Sequence, residues 1–215
     1  MISHSNRFIF IHVPKTGGTS ISSVLKPFGI VLSGDQNVKS IYYKHAKASY
    51  LQPLLGDEYS EYFKFAVVRN PFDWLISNYE FNRGLHRPFL KGTCIKNSNK
   101  IPNWATNIGF ENWLYWWVEN FSPSQNQFIA DHTGIIIIDK VLRFESLEVD
   151  FSQVCKKIGV DFPKSGLPHL RVSYRPQSIF NYYNNSTSAY VIEKFSADFD
   201  MFGYSKKVPQ GMEGA

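Results

Sequence analysis

Lys15, Thr16, Gly17, Gly18, Thr19 and Ser20 follow Pro14 and the apolar run at 8–13. A full positive charge, three hydroxyls and two glycines in six residues make the donor set of an anion-binding loop. The glycines allow close approach of the backbone, and the first N–H groups of a following helix point at a ligand without intrahelical partners. The order departs from the usual P-loop, where the lysine follows the last glycine and precedes Ser or Thr. Here Lys15 precedes both glycines, which raises the question of which anion the loop holds. A second constellation lies downstream. Arg69 ends another apolar run, and Ser77 follows eight residues later. An arginine at a strand end and a serine two turns into the next helix can grip a further phosphate group from two sides.

Such residues need rigid elements behind them. The runs at 7–13, 63–68 and 135–144 are rich in β-branched and aromatic residues and almost continuously apolar, the pattern of strands buried on both faces. The third run is expected to break at Asp139. Helices are expected over 18–26, 71–83, 110–120, 122–131, 151–158 and 188–199. For the helix at 71–83, Asn70 is the cap, Pro71 the first residue and Asp73 an acid in the first turn. Strands alternating with helices predict an α/β fold. The expected form is a P-loop-like three-layer sandwich, with a central, mostly parallel sheet flanked by helices. Residues 1–215 are expected to form one domain, with 207–215 as a loose tail. The polar stretch 92–109 reads as a long loop. Trp113, Trp116 and Trp117 share one helical face, the spacing of core packing or of a sugar-stacking platform.

Composition narrows the partners. The 215 residues are 43% hydrophobic and 19% charged, a globular balance. Lys and Arg number 23 against 18 Asp and Glu, a net charge of +5 without a concentrated basic run. That suits an anionic small molecule and argues against nucleic acid as partner. Cys94 and Cys155 match no metal spacing and no disulfide framework. No acidic cluster demands a metal. The run at 8–13 is too short to cross a bilayer, and no charged-then-apolar leader precedes it, so the expectation is a cytoplasmic protein with no membrane anchor.

Together, HVPKTGGTS at 12–20 and VVRNPFDWLIS at 67–77 resemble the sulfotransferases that use 3′-phosphoadenosine 5′-phosphosulfate (PAPS). The branch is that of the carbohydrate O-sulfotransferases, such as heparan sulfate 2-O-sulfotransferase. KHAKASYL at 44–51, LRFESLEVDF at 142–151, HLRVSYR at 169–175 and DFDMFGY at 198–204 follow in family order. The resemblance implies that Lys15, Thr16, Gly17, Gly18, Thr19 and Ser20 hold the 5′-phosphosulfate, and that Arg69 and Ser77 hold the 3′-phosphate. It places Arg171 and Ser173 on a late loop at the cofactor or acceptor. It also implies a metal-independent transfer to an acceptor hydroxyl of a glycan or small molecule, with Lys15 stabilising charge on the bridging oxygen.

The hydroxyl must lose a proton, which calls for a general base. His45 falls on the first histidine of the family's His-x-His, whereas the second position is Lys47. Lys47 and His12 are the alternative bases. His12, at the end of the first strand, also suits a role in orienting the loop. His169 is a further candidate. Two other classes compete with this reading: a small-molecule kinase of the P-loop type, and a non-catalytic nucleotide- or glycan-binding module. The kinase predicts a Gly-Lys-Ser/Thr ending that is absent.

Overall fold

The computed structural model describes residues 1–30, 44–83, 108–121, 124–170 and 177–210. They form two compact units, one of residues 1–69 and 124–170, the other of 70–123 and 171–215.

The first unit contains the sheet. β1 (Ile2–Ser3) pairs antiparallel with β2 (Phe8–Ile11). β2, β3 (Phe63–Val68) and β4 (Lys140–Arg143) then run parallel, in the order β1-β2-β3-β4. This is the expected α/β arrangement of a mostly parallel sheet flanked by helices. Alternation sorts the side chains: Phe8, Phe10, Phe65, Val67 and Leu142 share a core with Ile21 and Leu25 of α1 (Gly18–Leu25). Leu147, Phe151, Val154, Cys155 and Ile158 of α6 (Leu147–Ile158) complete it. Two short helices, α2 (Ala48–Leu55) and α3 (Asp57–Glu61), precede β3.

One charge is buried in this sheet. Lys64 faces away from the Phe65 core, and its ammonium bonds Tyr59 O at 3.0 Å and Tyr62 O at 2.7 Å and pairs with Asp139 at 2.9 Å. The Asp139 carboxylate also accepts from Lys64 N–H at 2.7 Å.

The second unit is helical. In α4 (Pro71–Asn82) the Asn70 side chain accepts from Phe72 N–H at 3.0 Å, with Pro71 at the first position. α5 (Phe110–Phe121), α7 (Asn185–Lys194) and α8 (Ser196–Phe202) surround a core dense in aromatic rings. Trp113 is fully buried and stacks on Trp117 at 5.0 Å, while Trp116 packs against Phe121. The tryptophan face is thus core packing. Tyr182 Oη donates to buried Glu80 at 2.6 Å, and Tyr183 Oη to Phe72 O at 2.7 Å.

Several expected elements differ. The run at 135–144 is a strand only at Lys140–Arg143. Upstream, the Asp131 carboxylate accepts from Thr133 and Ile135 N–H, Gly134 takes φ +86°, and Ile135 is exposed, so that segment turns instead of extending. Within 122–131 the described residues hold a single 3₁₀ turn, Asn126–Phe128, and Ala130 bridges to Ile136. α6 begins at Leu147, where Glu148 and Asp150 complement the helix dipole, four residues before the expected start. The expected helix at 188–199 is two helices that break at Phe195, the first opened by an Asn184–Thr187 capping box. The stretch 92–109 lies outside the described residues but for 108–109, as do 211–215 of the expected tail.

Candidate functional site

The glycine loop runs from the end of β2 into α1, and side chains behind it fix its shape. Lys15 is half-buried and adopts φ +66°, and Gly17 adopts φ +81°. A Cβ on Gly17 would lie 2.8 Å from Leu147 Cδ2 and 3.1 Å from the Phe144 ring. A Cβ on Gly18 would lie within 2.5 Å of His12 Nε2. Neither glycine tolerates a side chain in place. His12 is 5% exposed and lies stacked on Phe10 with centroids 5.6 Å apart. It fills the space behind Gly18.

The three hydroxyls divide their tasks. Thr16 is fully buried and donates to Val13 O at 2.9 Å, so its hydroxyl shapes the loop and does not reach a ligand. Ser20 Oγ accepts from Leu170 N–H at 3.2 Å. Thr19 is half-buried at the start of α1. Lys15, Thr19 and the N–H groups that open α1 form a donor set that fits a phosphate-class anion.

His45 joins this loop. Its Nδ1 lies 2.8 Å from His12 O, and the two imidazoles meet edge to face at 4.8 Å. A carbonyl only accepts, so Nδ1 carries the hydrogen and the neutral ring has its lone pair on Nε2. Burial pulls the His45 pKa below its ordinary value; the bond to His12 O opposes this, and the nearby Lys44 charge adds to it. His45 is therefore a neutral imidazole at pH 7, the form that takes up a proton. Lys47, at the cap of α2, is exposed and donates to Gln127 Oε1 at 3.3 Å. His169 is exposed.

Arg69 is 6% exposed. Its guanidinium stacks over Phe144 at 3.9 Å and donates to Lys15 O at 3.1 Å, which ties it to the glycine loop. Its backbone pairs with the carboxamide of Gln125. Gln125 did not stand out in the sequence, and Phe144 only as part of LRFESLEVDF, because their contacts with Arg69 cross more than fifty residues. Ser77 is buried on α4 and belongs to the second unit, whereas Arg69 closes the first. Arg171 and Ser173 lie outside the described residues. Among the described residues no helix is long and apolar enough to cross a membrane, and no three His, Cys, Asp or Glu side chains group as metal ligands. Cys155 is buried, which pushes its thiol pKa up to about 11; Cys94 lies outside the described residues.

Residues 1–205, both units included, match the model of the sulfotransferase family. The chain belongs to the sulfotransferase family. Among curated members, carbohydrate sulfotransferase 10 of Mus musculus is 24% identical across 95% of this chain and 66% of its own length. The Xenopus laevis protein of that name is 30% identical across 95% of this chain and 67% of its own. The chain thus spans about two thirds of the length of these two relatives. Among solved structures, mouse sulfotransferase SULT7A1 complexed with PAP superposes with a TM-score of 0.52 at 13% identity, over 93% of this chain and 86% of that one. That likeness is one of fold.

Proposed function

We propose that this chain is a PAPS-dependent sulfotransferase that moves a sulfuryl group to a hydroxyl of a carbohydrate, with His45 as general base. The observation that carries the reading is the contact of a neutral, Nδ1-protonated imidazole with the glycine loop itself. Family membership and the carbohydrate sulfotransferases among its relatives support the donor and the acceptor class. The PAP complex of SULT7A1 supports the same donor.

In this reading PAPS is the donor substrate and supplies the sulfuryl group. Lys15, Gly17, Gly18, Thr19 and Ser20 bind its 5′ end, with the buried Thr16 hydroxyl shaping the loop. Arg69 and Ser77 serve the 3′-phosphate, and Arg171 and Ser173 contact donor or acceptor. His45 Nε2 takes the acceptor hydroxyl proton as oxygen attacks sulfur and the bridging S–O bond breaks. Lys15 balances the charge that builds on the departing phosphate oxygen, an interaction stronger in the transition state than in the ground state.

The test has two arms. Calorimetric titration without metal compares PAP with ATP, and labelled PAPS is offered with a panel of saccharides. Tighter binding of PAP and label in a saccharide are expected; tighter binding of ATP would sink the reading. Lys15→Ala is expected to lower turnover by roughly 10²–10³-fold, the scale for removal of one transition-state charge partner, with a much smaller change in PAP affinity.

A further inference from the structure

Gln125 belongs to no motif, yet it is fully buried against the site. Its Oε1 accepts from Arg69 N–H at 2.8 Å, and its Nε2 donates to Arg69 O at 2.7 Å. One carboxamide thus supplies both bonds that a residue on an antiparallel neighbour would exchange. The position explains why. The ladder between β3 and β4 ends at Val68, paired with Arg143, and Arg69 is the next residue. A buried N–H and C=O there need partners, and leaving them unmet is unfavourable. Gln125 lengthens the strand by one residue, in side-chain form.

The chain of contacts continues from Arg69. Its guanidinium, set on the Phe144 ring, donates to Lys15 O. Lys15 has φ +66°, a left-handed conformation that a residue with a Cβ adopts only when its surroundings hold it. Arg69 is such a holder.

We propose that Gln125 is a positioning residue. By fixing the backbone of Arg69 it sets the guanidinium that braces the Lys15 carbonyl, and so governs how both cations meet the donor. The proposal rests on the assignment of Arg69 to the 3′-phosphate of PAPS. It separates Gln125 from a merely structural buried amide, whose loss lowers stability and leaves ligand selectivity alone.

The test titrates PAP and adenosine 5′-monophosphate, which lacks the 3′-phosphate, into the full chain and its variants. Gln125→Met keeps length and loses both bonds. Gln125→Glu keeps the acceptor for Arg69 N–H and loses the donor to Arg69 O. Arg69→Lys sets the floor for lost 3′-phosphate selectivity. The wild type is expected to prefer PAP. The preference is expected to fall at least tenfold in Gln125→Met and by a smaller factor in Gln125→Glu, each measured per folded molecule by its melting curve. If Gln125→Met does not fold, the Gln125→Glu ratio decides. Variants that melt earlier but keep the wild-type ratio within twofold overturn the role of Gln125 and leave the donor assignment standing. A wild type with no preference for PAP overturns the donor assignment and this proposal together.

Discussion

Around the glycine loop the buried polar side chains Thr16, Ser20, Arg69 and Gln125 all bond to backbone groups. In the second unit the interior is instead a run of ring contacts, from Phe110 and Tyr79 through Trp113 to Trp117 and Trp74. The first arrangement holds backbone conformations that the chain would otherwise leave, such as the left-handed Lys15. The second fills volume and removes apolar area from water. A change of one methyl should therefore matter most where backbone is held, and a change of many atoms where area is buried.

The largest effect should come from the aromatic side of this contrast. Trp113→Ala is expected to lower the unfolding free energy by about 3–5 kcal/mol, read from urea unfolding. Trp113→Phe sharpens the point. The indole N–H is buried without an acceptor among the described residues, so phenylalanine removes an unmet donor along with some ring area and should lose far less. Equal losses in the two variants would mean that area is not what holds this core.

Next comes a single methyl at the loop. Gly18→Ala drives a Cβ into the His12 ring and is expected to destabilise by about 1–3 kcal/mol. Placed on a His12→Ala background, the same change should lose most of its effect, since the clash has gone. A double-mutant cycle of melting and PAP affinity measures that coupling. Additive effects would break the argument that His12 shapes the loop by contact with Gly18.

The smallest effect is one of pH. Burial lowers the His45 pKa from 6.5, so the base is deprotonated above that value and activity should fall only as pH drops below it. The sign for stability is the same. The folded ring binds its proton less readily than the unfolded one, so its contribution is complete above 6.5 and is lost progressively as pH falls through that value towards the folded pKa. Loss of an acid limb below 6.5 in His45→Ala would tie that limb to this residue, whereas an acid limb of kcat/KM above 6.5 would point to another base.

Much of this was legible in the residues. β3 was readable to its ends because Phe63–Val68 is apolar but for Lys64 and is bounded by Arg69. α4 was readable because Asn70, Pro71 and Asp73 are local signals of a helix start. The expectation failed where a distant partner decides. Ile135 to Ile138 are as apolar as a strand, yet only Lys140–Arg143 pairs with β3 as a strand, and the Asp131 turn takes the chain elsewhere. Gln125 sits in a stretch that reads as helical, while its carboxamide answers to Arg69. The loop glycines were visible as glycines, and His12 as a residue that orients the loop, but the contacts of the His12 and Phe144 rings that make the glycines obligatory were not.

The buried ammonium of Lys64 sits near the foot of the same strand that Arg69 crowns. It is anchored to two carbonyls and a carboxylate on the side away from the Phe65 core. Slide β3 by one step against its neighbours and that ammonium would swing into the phenylalanine core, a placement too unfavourable to populate. Lys64 thereby acts as a ratchet pawl for the strand: it forbids the off-by-one alignment, and so delivers the guanidinium at the far end to the same place every time the molecule folds.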